Sequence, residues 1–253
     1  MITLETPDSF IGFLNSKGII ISKGFEETVL YYNIDEAKAL EQLYAIGEFH
    51  KKTIGYKSII ERNFENRTGK LIEQYKFYLK KSKRLLKALS EKDEVNAFEK
   101  LMMDCGDNFI KRAENSLKDL NRCGYIDIIK RSMRRGEICL ENTDFNNIRK
   151  RDYLEVIDIS NCSYNIVEID AFNFLSKLKK KSIKLDYSYL IKEFCKCEDL
   201  DDNSVEFIMT LLNYPYNFMR CCNRYKESKK NWTIEEYIEK MNKAMIKDEE
   251  IFR

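Results

Sequence analysis

The chain has 253 residues, of which 43% are apolar and 34% charged, a composition typical of globular proteins with a sizeable core and a charged surface. Its 44 basic and 42 acidic residues nearly cancel, which excludes an overall field that would draw it to nucleic acid or to an anionic membrane. No stretch approaches the roughly 18 apolar residues of a membrane span, and the amino terminus lacks a basic region followed by an apolar one. We therefore expect a protein made in the cytoplasm, with no nucleic-acid or membrane partner and with its eight cysteines reduced.

The pattern of the first 33 residues predicts a small unit with one helix and one hairpin. Asp8 is placed to cap a short helix that contains Phe10 and Leu14, and two strands are predicted over Ile19–Ser22 and Thr28–Tyr32. Because a two-stranded hairpin is marginally stable alone, this unit must pack on the residues that follow.

From residue 33 onward the apolar residues recur mostly at helical spacing. A helix is predicted to begin at Asn33, where Glu36 resembles the second residue of a capping box, and to end at Gly55. Further helices are predicted over Thr68–Leu89, from Ser90 to Gly124, over Asp170–Leu178, Tyr187–Cys195 and Asn203–Tyr214, and from Thr233, which forms a capping box with Glu236. Pro215 should break or kink the path between the last two. The predicted fold class is mainly α with a small β-hairpin, that is, α+β.

The predicted hairpin lies in the segment from residue 136 to residue 170. Its strands are Glu137–Leu140 and Tyr153–Ile159, which enclose a polar loop that ends in Asn147, and the second strand delivers Asp158. An Asn and an Asp at adjoining strand ends are what a phosphoryl-transfer site uses to hold magnesium. A surface hairpin with polar side chains has the same pattern, so both interpretations stay open.

Other candidate sites are weaker. Among the cysteines only Cys195, Cys197, Cys221 and Cys222 could gather a metal, and their spacing fits zinc poorly. His50 is the only histidine, so any Ser/His or Cys/His pair must use it. The basic residues beside the central loop could contact an anionic ligand, although basic clusters are more often solvated helix faces. These residues are Lys130, Arg131, Arg134 and Arg135.

The stretch RRGEICLENTDFNNI, followed by EVIDISNCSYNIVEIDAFNFLSKL, resembles the catalytic-loop and metal-loop region of the CotS family of spore coat proteins, which are kinase-like relatives of the aminoglycoside phosphotransferases. In that family a Cys precedes a His-(Gly or His)-Asp triplet, a metal-binding Asn follows the Asp by five residues, and an Ile-Asp-Phe-Asp segment comes later. Cys139, Asn147, Ile157 and Asp158 fit this register, and the resemblance implies that Asp170 supports the loop from the next helix.

Two other stretches are similar to the family. LYAIGEFHKKTIGYKS, around His50, resembles its leucine-alanine-x-x-histidine helix end, and NYPYNFMRCCNRYKESKKNW resembles a late pattern with proline, tyrosine and tryptophan. The resemblance therefore runs from about residue 33 to the carboxyl terminus.

The departures from the family pattern bear on activity. The His-Gly-Asp triplet is replaced by Leu140, Glu141 and Asn142, so an amide stands at the position of the catalytic Asp. Asp144 does not restore the pattern, since Arg149 and not an Asn follows it by five residues, and Ser160 replaces the second acid of Ile-Asp-Phe-Asp. An amide has no useful basicity, and its introduction usually costs about 10²–10⁴ in rate.

The resemblance implies a helical carboxyl-terminal lobe over residues 34–253 and a vestigial, truncated amino-terminal lobe over residues 1–33. None of the nine glycines forms the G-x-G pair of a phosphate-covering loop. We expect a non-catalytic spore coat protein with a structural or assembly role, other coat proteins as partners and no cofactor, in which Asn147 and Asp158 are vestigial metal ligands. The alternative is an active small-molecule phosphotransferase that uses ATP and magnesium. A third class is a regulatory module that binds an anionic partner through Lys130–Arg135.

Overall fold

The structure is a computed structural model that describes residues 9–56, 64–228 and 230–252. Most of the described residues are helical and the strands are short, so the predicted mainly α class with a small β content is confirmed. Among the described residues, no helix combines the length and the apolar character needed to cross a membrane.

The contacts divide the chain into two units. The first comprises residues 1–68 and 123–209, and the second comprises residues 69–122 and 210–253. The predicted ranges 1–33 and 34–253 divide the chain differently. They mark the two lobes that the resemblance implies, and that assignment stays a proposal. Asp8, the predicted cap of the first helix, lies outside the described residues, and Ser9 caps that helix by accepting a hydrogen bond from Gly12 N at 3.0 Å.

The first unit contains two small sheets and the helices around them. Its helices are α1 (Phe10–Ser16), α2 (Glu36–Thr53), α5 (Tyr125–Arg135), α6 (Glu168–Lys180), α7 (Tyr187–Cys197) and the start of α8 (Asp202–Asn213). Its strands are β1 (Ile19–Ile21), β2 (Glu65–Asn66), β3 (Ile138–Cys139), β4 (Ile148–Lys150), β5 (Leu154–Val156) and β6 (Ser163–Tyr164). One sheet has the order β1-β5-β4 and the other β2-β6-β3.

Neither predicted hairpin forms as expected. The first segment of the central pair, β3, pairs antiparallel with β6, whereas the second, β5, pairs antiparallel with β4. The β4–β5 connection is only residues 151–153, and a loop this short costs little entropy to close. Near the amino terminus, β1 pairs in parallel with β5, and residues 31–33 form a 3₁₀ turn in place of the second predicted strand. Each of these strands therefore pairs with a segment other than the one its pattern suggested.

The second unit is helical, with α3 (Lys70–Ser90), α4 (Ala97–Arg122), the end of α8, α9 (Tyr216–Lys226) and α10 (Ile234–Lys247). Its core includes the stacked rings of Phe109 and Phe218, whose centroids are 4.2 Å apart. The capping box of Thr233 and Glu236 is confirmed, and Pro215 separates α8 from α9.

Helix starts elsewhere follow nearby capping residues. The cap of α2 is Asp35 and not Asn33, because the Asp35 side chain accepts from Lys38 N at 2.8 Å. Helix α4 begins at Ala97 and not near Ser90, since the Asn96 side chain accepts from Glu99 N at 3.0 Å. Helices α5 and α9 were not among the predicted helices.

Candidate functional site

The loop between β3 and β4 has a tight backbone course. Asn142 N donates to Leu140 O at 2.8 Å, and Asn147 N donates to Asp144 O at 2.8 Å. Glu141, which lies between Leu140 and Asn142, has a φ of 65°. This is a left-handed conformation that glycine adopts more readily than other residues. In the register that the resemblance to the CotS family suggests, this is the position of a Gly or a His.

Asp170, from the first turn of α6, lies directly beneath this loop. Its carboxylate is fully buried and accepts from Leu140 N at 2.7 Å and from Glu141 N at 2.8 Å. The hydroxyl of Thr143 donates to the backbone oxygen of Asp170 at 3.2 Å. Charge-assisted hydrogen bonds of this kind fix the loop to the helix.

His50 joins Asp170 to a third buried group. Its Nε2 lies 2.9 Å from Asp170 Oδ2, and its Nδ1 lies 2.9 Å from Glu198 Oε1, at the end of α7. Burial disfavours the imidazolium, but the charge of Glu198 and the hydrogen bond to Asp170 outweigh it and raise the pKa of His50 to about 10. The three residues therefore form a buried ion triad with His50 charged at neutral pH. The second carboxylate oxygen of Glu198 is buried and has no hydrogen-bond partner among the residues that the structure describes.

The structure brings Asn147 and Asp158 together. The amide nitrogen of Asn147 donates to Asn142 O at 2.8 Å and to Asp158 O at 2.9 Å, and its Oδ1 accepts from Asp158 N at 2.7 Å. The buried amide of Asn147 thus connects the two loops through their backbones. The Asp158 side chain is exposed, and hydrogen bonds from Ser160 lower its pKa.

The three residues that the resemblance aligns with the CotS triplet differ in their surroundings. Leu140 is fully buried, whereas Asn142 is exposed at the tip of the loop. The carboxylate of Glu141 turns toward the β2-β6-β3 sheet, where it accepts from Ser163 Oγ at 2.6 Å and from Asn165 Nδ2 at 3.1 Å. Ser163 and Asn165 therefore hold the Glu141 carboxylate against this sheet.

Asp144 is committed to other partners. It accepts a hydrogen bond from the hydroxyl of Tyr31, and it forms an ion pair with Lys177. Lys177 also lies over the Tyr31 ring, with its Nζ 5.5 Å from the centroid. A carboxylate that is already paired with an ammonium group is a poor proton acceptor, which agrees with the sequence argument against Asp144 as the base.

The predicted basic cluster on α5 has to be corrected for two of its residues. Arg131 bonds to the buried carboxylate of Glu168 at 2.8 Å and to that of Glu137 at 3.2 Å, and Arg135 lies 3.4 Å from Glu137. Burial opposes the charge of Arg131, but Glu168 and Glu137 outweigh it and raise its pKa. Arg131 and Arg135 thus neutralise internal charges. Lys130, which pairs with Asp127, and Arg134 are exposed.

The cysteine set proposed for a metal is not brought together as a ligand group in the part of the chain that the structure describes. The one group of metal-ligand type among those residues is His50, Cys139 and Asp170. Their ligand atoms are already used, since Cys139 Sγ lies 3.2 Å from Ile166 O and the other two bond to each other. A packed core accounts for this group without a metal.

A cavity that sequence analysis missed lies beside α2. It has a volume of about 700 Å³ and is lined by residues 27–30 and 33 from the loop before α2, by side chains of α2, and by Phe145 and residues 149–151. We call it the α2 cavity. Its walls come from three separate segments, so no local motif could have signalled it.

No protein-family model and no curated protein sequence matches the chain. The structure is similar to the crystal structure of an aminoglycoside phosphotransferase from Alicyclobacillus acidocaldarius subsp. acidocaldarius DSM 446. The two have a TM-score of 0.66 and 12% sequence identity, over 90% of this chain and 65% of that chain. At this identity the similarity concerns the fold alone, and the chain has the kinase-like fold of the aminoglycoside phosphotransferases.

Proposed function

We propose that this chain is a non-catalytic, kinase-like protein with a structural or assembly role in the spore coat of an endospore-forming bacterium. One observation carries the non-catalytic part. The loop keeps its supports from Asp170, yet Asn142, at the place of the catalytic Asp in the CotS register, ends in an amide. An intact loop without a proton acceptor is what a structural descendant of a kinase would retain.

The surroundings of Asn147 support the same proposal. Its Oδ1, the atom that would bind magnesium, accepts the backbone N–H of Asp158 at 2.7 Å. Ser160 stands where the family has a second acid, so a metal here would find one carboxylate, that of Asp158. Magnesium sites usually rely on one or two carboxylates together with substrate phosphates. With a single carboxylate, this site should have a low affinity for magnesium.

The coat role rests on the likeness of three separated stretches to the CotS family, in the family's order. Other coat proteins would be its partners, and no cofactor would be required. The test is to express the whole chain, fused to a fluorescent protein, in a sporulating bacterium. Fluorescence at the surface of the forming spore that survives detergent extraction supports the proposal, and fluorescence spread evenly through the mother cell contradicts it.

The competing function is that of an active small-molecule phosphotransferase. The specific observation in its favour is that the backbone of Asp158, whose side chain is exposed, bonds to the side chain of Asn147, on a fold shared with a phosphotransferase. Calorimetric titration with ATP, with and without magnesium, separates the two. We expect no magnesium-dependent heat of binding, and a clear magnesium-dependent isotherm would favour the phosphotransferase.

A further inference from the structure

We propose that the α2 cavity binds a small organic acid, which carries one negative charge next to Arg149 and an apolar body against Val29, Leu30 and Ala45. This inference is independent of the proposed coat role and of any phosphotransfer, because Arg149 and the apolar contacts lie outside the loop from residue 140 to residue 147, of which Phe145 also lines the cavity.

The first observation is a desolvated guanidinium that makes no direct ion pair among the described residues. Arg149 is only 9% exposed, and it donates through Nε to Phe145 O at 2.7 Å and through Nη2 to Glu27 O at 2.6 Å. Its guanidinium lies over the Phe25 ring, 4.4 Å from the centroid. It forms no ion pair with any carboxylate in the described part of the chain, and Nη1 makes no hydrogen bond there.

An unpaired buried charge is costly, and proteins normally pair such groups. Burial, and then the nearby charge of Arg151, lower the pKa of Arg149 against the opposing effect of the charges of Glu27 and Glu155, although neither carboxylate forms an ion pair with the guanidinium. Elsewhere in the same unit the buried partners of Arg131 are two carboxylates. A ligand anion in the cavity would supply the direct ion pair that no carboxylate of the described residues makes with Arg149.

The charges around the cavity set the charge of the ligand. Two of the other basic side chains are already neutralised, because Lys150 lies 2.8 Å from Glu48 and Arg151 lies 3.5 Å from Glu27. Lys38 and Glu41, both exposed on α2, contribute one positive and one negative charge to the lining. The lining therefore has four basic and three acidic side chains, an excess of one positive charge that matches a monoanion and not a triphosphate.

The size and the apolar lining of the α2 cavity indicate what the uncharged part of the ligand should be. About 700 Å³ falls within the range of small-molecule sites, which are mostly apolar with a few placed polar groups. Leu30 is 46% exposed although it is large and apolar, and Val29 and Ala45 line the same space. An aromatic or short aliphatic carboxylate would cover these side chains while its charge meets the guanidinium.

The test uses 2-naphthoate and octanoate as probes, with 2-naphthamide as the neutral analogue of the first, titrated into the whole chain by calorimetry. We expect at least one carboxylate to bind and 2-naphthamide to bind at least tenfold more weakly than 2-naphthoate. Arg149→Met should weaken carboxylate binding at least tenfold. Arg134→Met removes an exposed arginine on α5 and should leave it unchanged.

Arg149→Met also removes two hydrogen bonds, so a second variant keeps the test decisive if that protein does not fold. Leu30→Glu places a competing carboxylate at an exposed position of the lining, and it too should weaken carboxylate binding at least tenfold. The inference is overturned if neither carboxylate binds at millimolar concentration, if the acid and the amide bind equally, or if the folded variants bind the carboxylates like the wild type.

Discussion

The Nε2 atom of His50 and the Oδ2 atom of Asp170 lie 2.9 Å apart, and both side chains are fully buried. The same carboxylate oxygen of Asp170 also accepts the backbone N–H of Leu140 at 2.7 Å. Helix α2 and the loop that follows β3 are therefore connected through one carboxylate. The charge state of His50 consequently bears on the stability of the loop.

The first prediction concerns pH. The pKa of His50 is about 10 in the folded chain and about 6.5 when unfolded, so its contribution to stability is complete below pH 6.5 and is lost as the pH rises toward 10. Each pKa unit corresponds to about 1.4 kcal/mol, so the loss should amount to a few kcal/mol. Urea unfolding of the wild type and of His50→Gln between pH 6 and pH 9.5 measures it.

Because His50 is the only histidine, its ring protons can also be followed directly by NMR. We expect no titration between pH 5.5 and pH 8. A histidine that titrates near pH 6.5, together with equal pH dependence of both proteins, would show that the triad is not ionised as inferred.

The second prediction compares two aspartates. Asp170→Ala leaves two backbone donors and a buried imidazolium without their partner, and breaking a buried pair of this kind costs roughly 3–5 kcal/mol. The Asp158 side chain is exposed and accepts a hydrogen bond from Ser160 N at 2.8 Å, so Asp158→Ala should cost less than about 1 kcal/mol. Denaturant melts of both variants check this, and a larger loss for Asp158→Ala would reverse the assignment.

Local signals in the sequence predicted local structure. The capping box of Thr233 and Glu236 and the break at Pro215 depend on residues within one turn, and both are confirmed. The strand pairings depend on segments far apart, such as Ile19 with Leu154, and alternation within each strand does not identify the partner. This is why three of the four predicted strands, near β1, β3 and β5, were located while their pairing was wrong.

At the candidate site too, the sequence predicted features within a continuous stretch but not contacts between distant segments. The resemblance suggested Asp170 because its register is carried by a continuous stretch of sequence. The role of Arg131 could not be inferred in that way, since Glu168 is 37 residues away and only folding brings its carboxylate to the guanidinium. The α2 cavity likewise exists only where three segments meet.

The third prediction tests the left-handed backbone of Glu141. Both Glu141→Gly and Glu141→Ala remove the hydrogen bonds to Ser163 and Asn165, so both should destabilise the protein. At a φ of 65° the alanine variant should be less stable than the glycine variant by about 1 kcal/mol, because its Cβ meets the carbonyl oxygen. Equal stability in parallel melts would show that the loop does not hold this conformation.

The fourth prediction separates the basic residues of α5. Arg131→Met leaves the buried carboxylates of Glu137 and Glu168 short of a partner and should cost roughly 3–5 kcal/mol. Lys130→Met, on the exposed side of the same helix, should change stability by less than about 0.5 kcal/mol. If the two variants unfold at the same denaturant concentration, the internal role of Arg131 is wrong.

The last measurement is a thermal melt of the wild type and of Asn142→Asp with millimolar ATP and magnesium, accompanied by an assay of ATP hydrolysis. A ligand at 100 times its dissociation constant stabilises by about 2.7 kcal/mol, which amounts to several degrees for a protein of this size. Asn142→Asp restores the missing carboxylate, but Asn147 Oδ1 stays bonded to Asp158 N and Ser160 supplies no second acid. We therefore expect no shift and no turnover for either protein. A rise of several degrees in the wild type, or hydrolysis of ATP by the wild type, would contradict the non-catalytic proposal. Hydrolysis by Asn142→Asp alone would show that the chain still binds ATP and that the amide of Asn142 is what prevents the reaction.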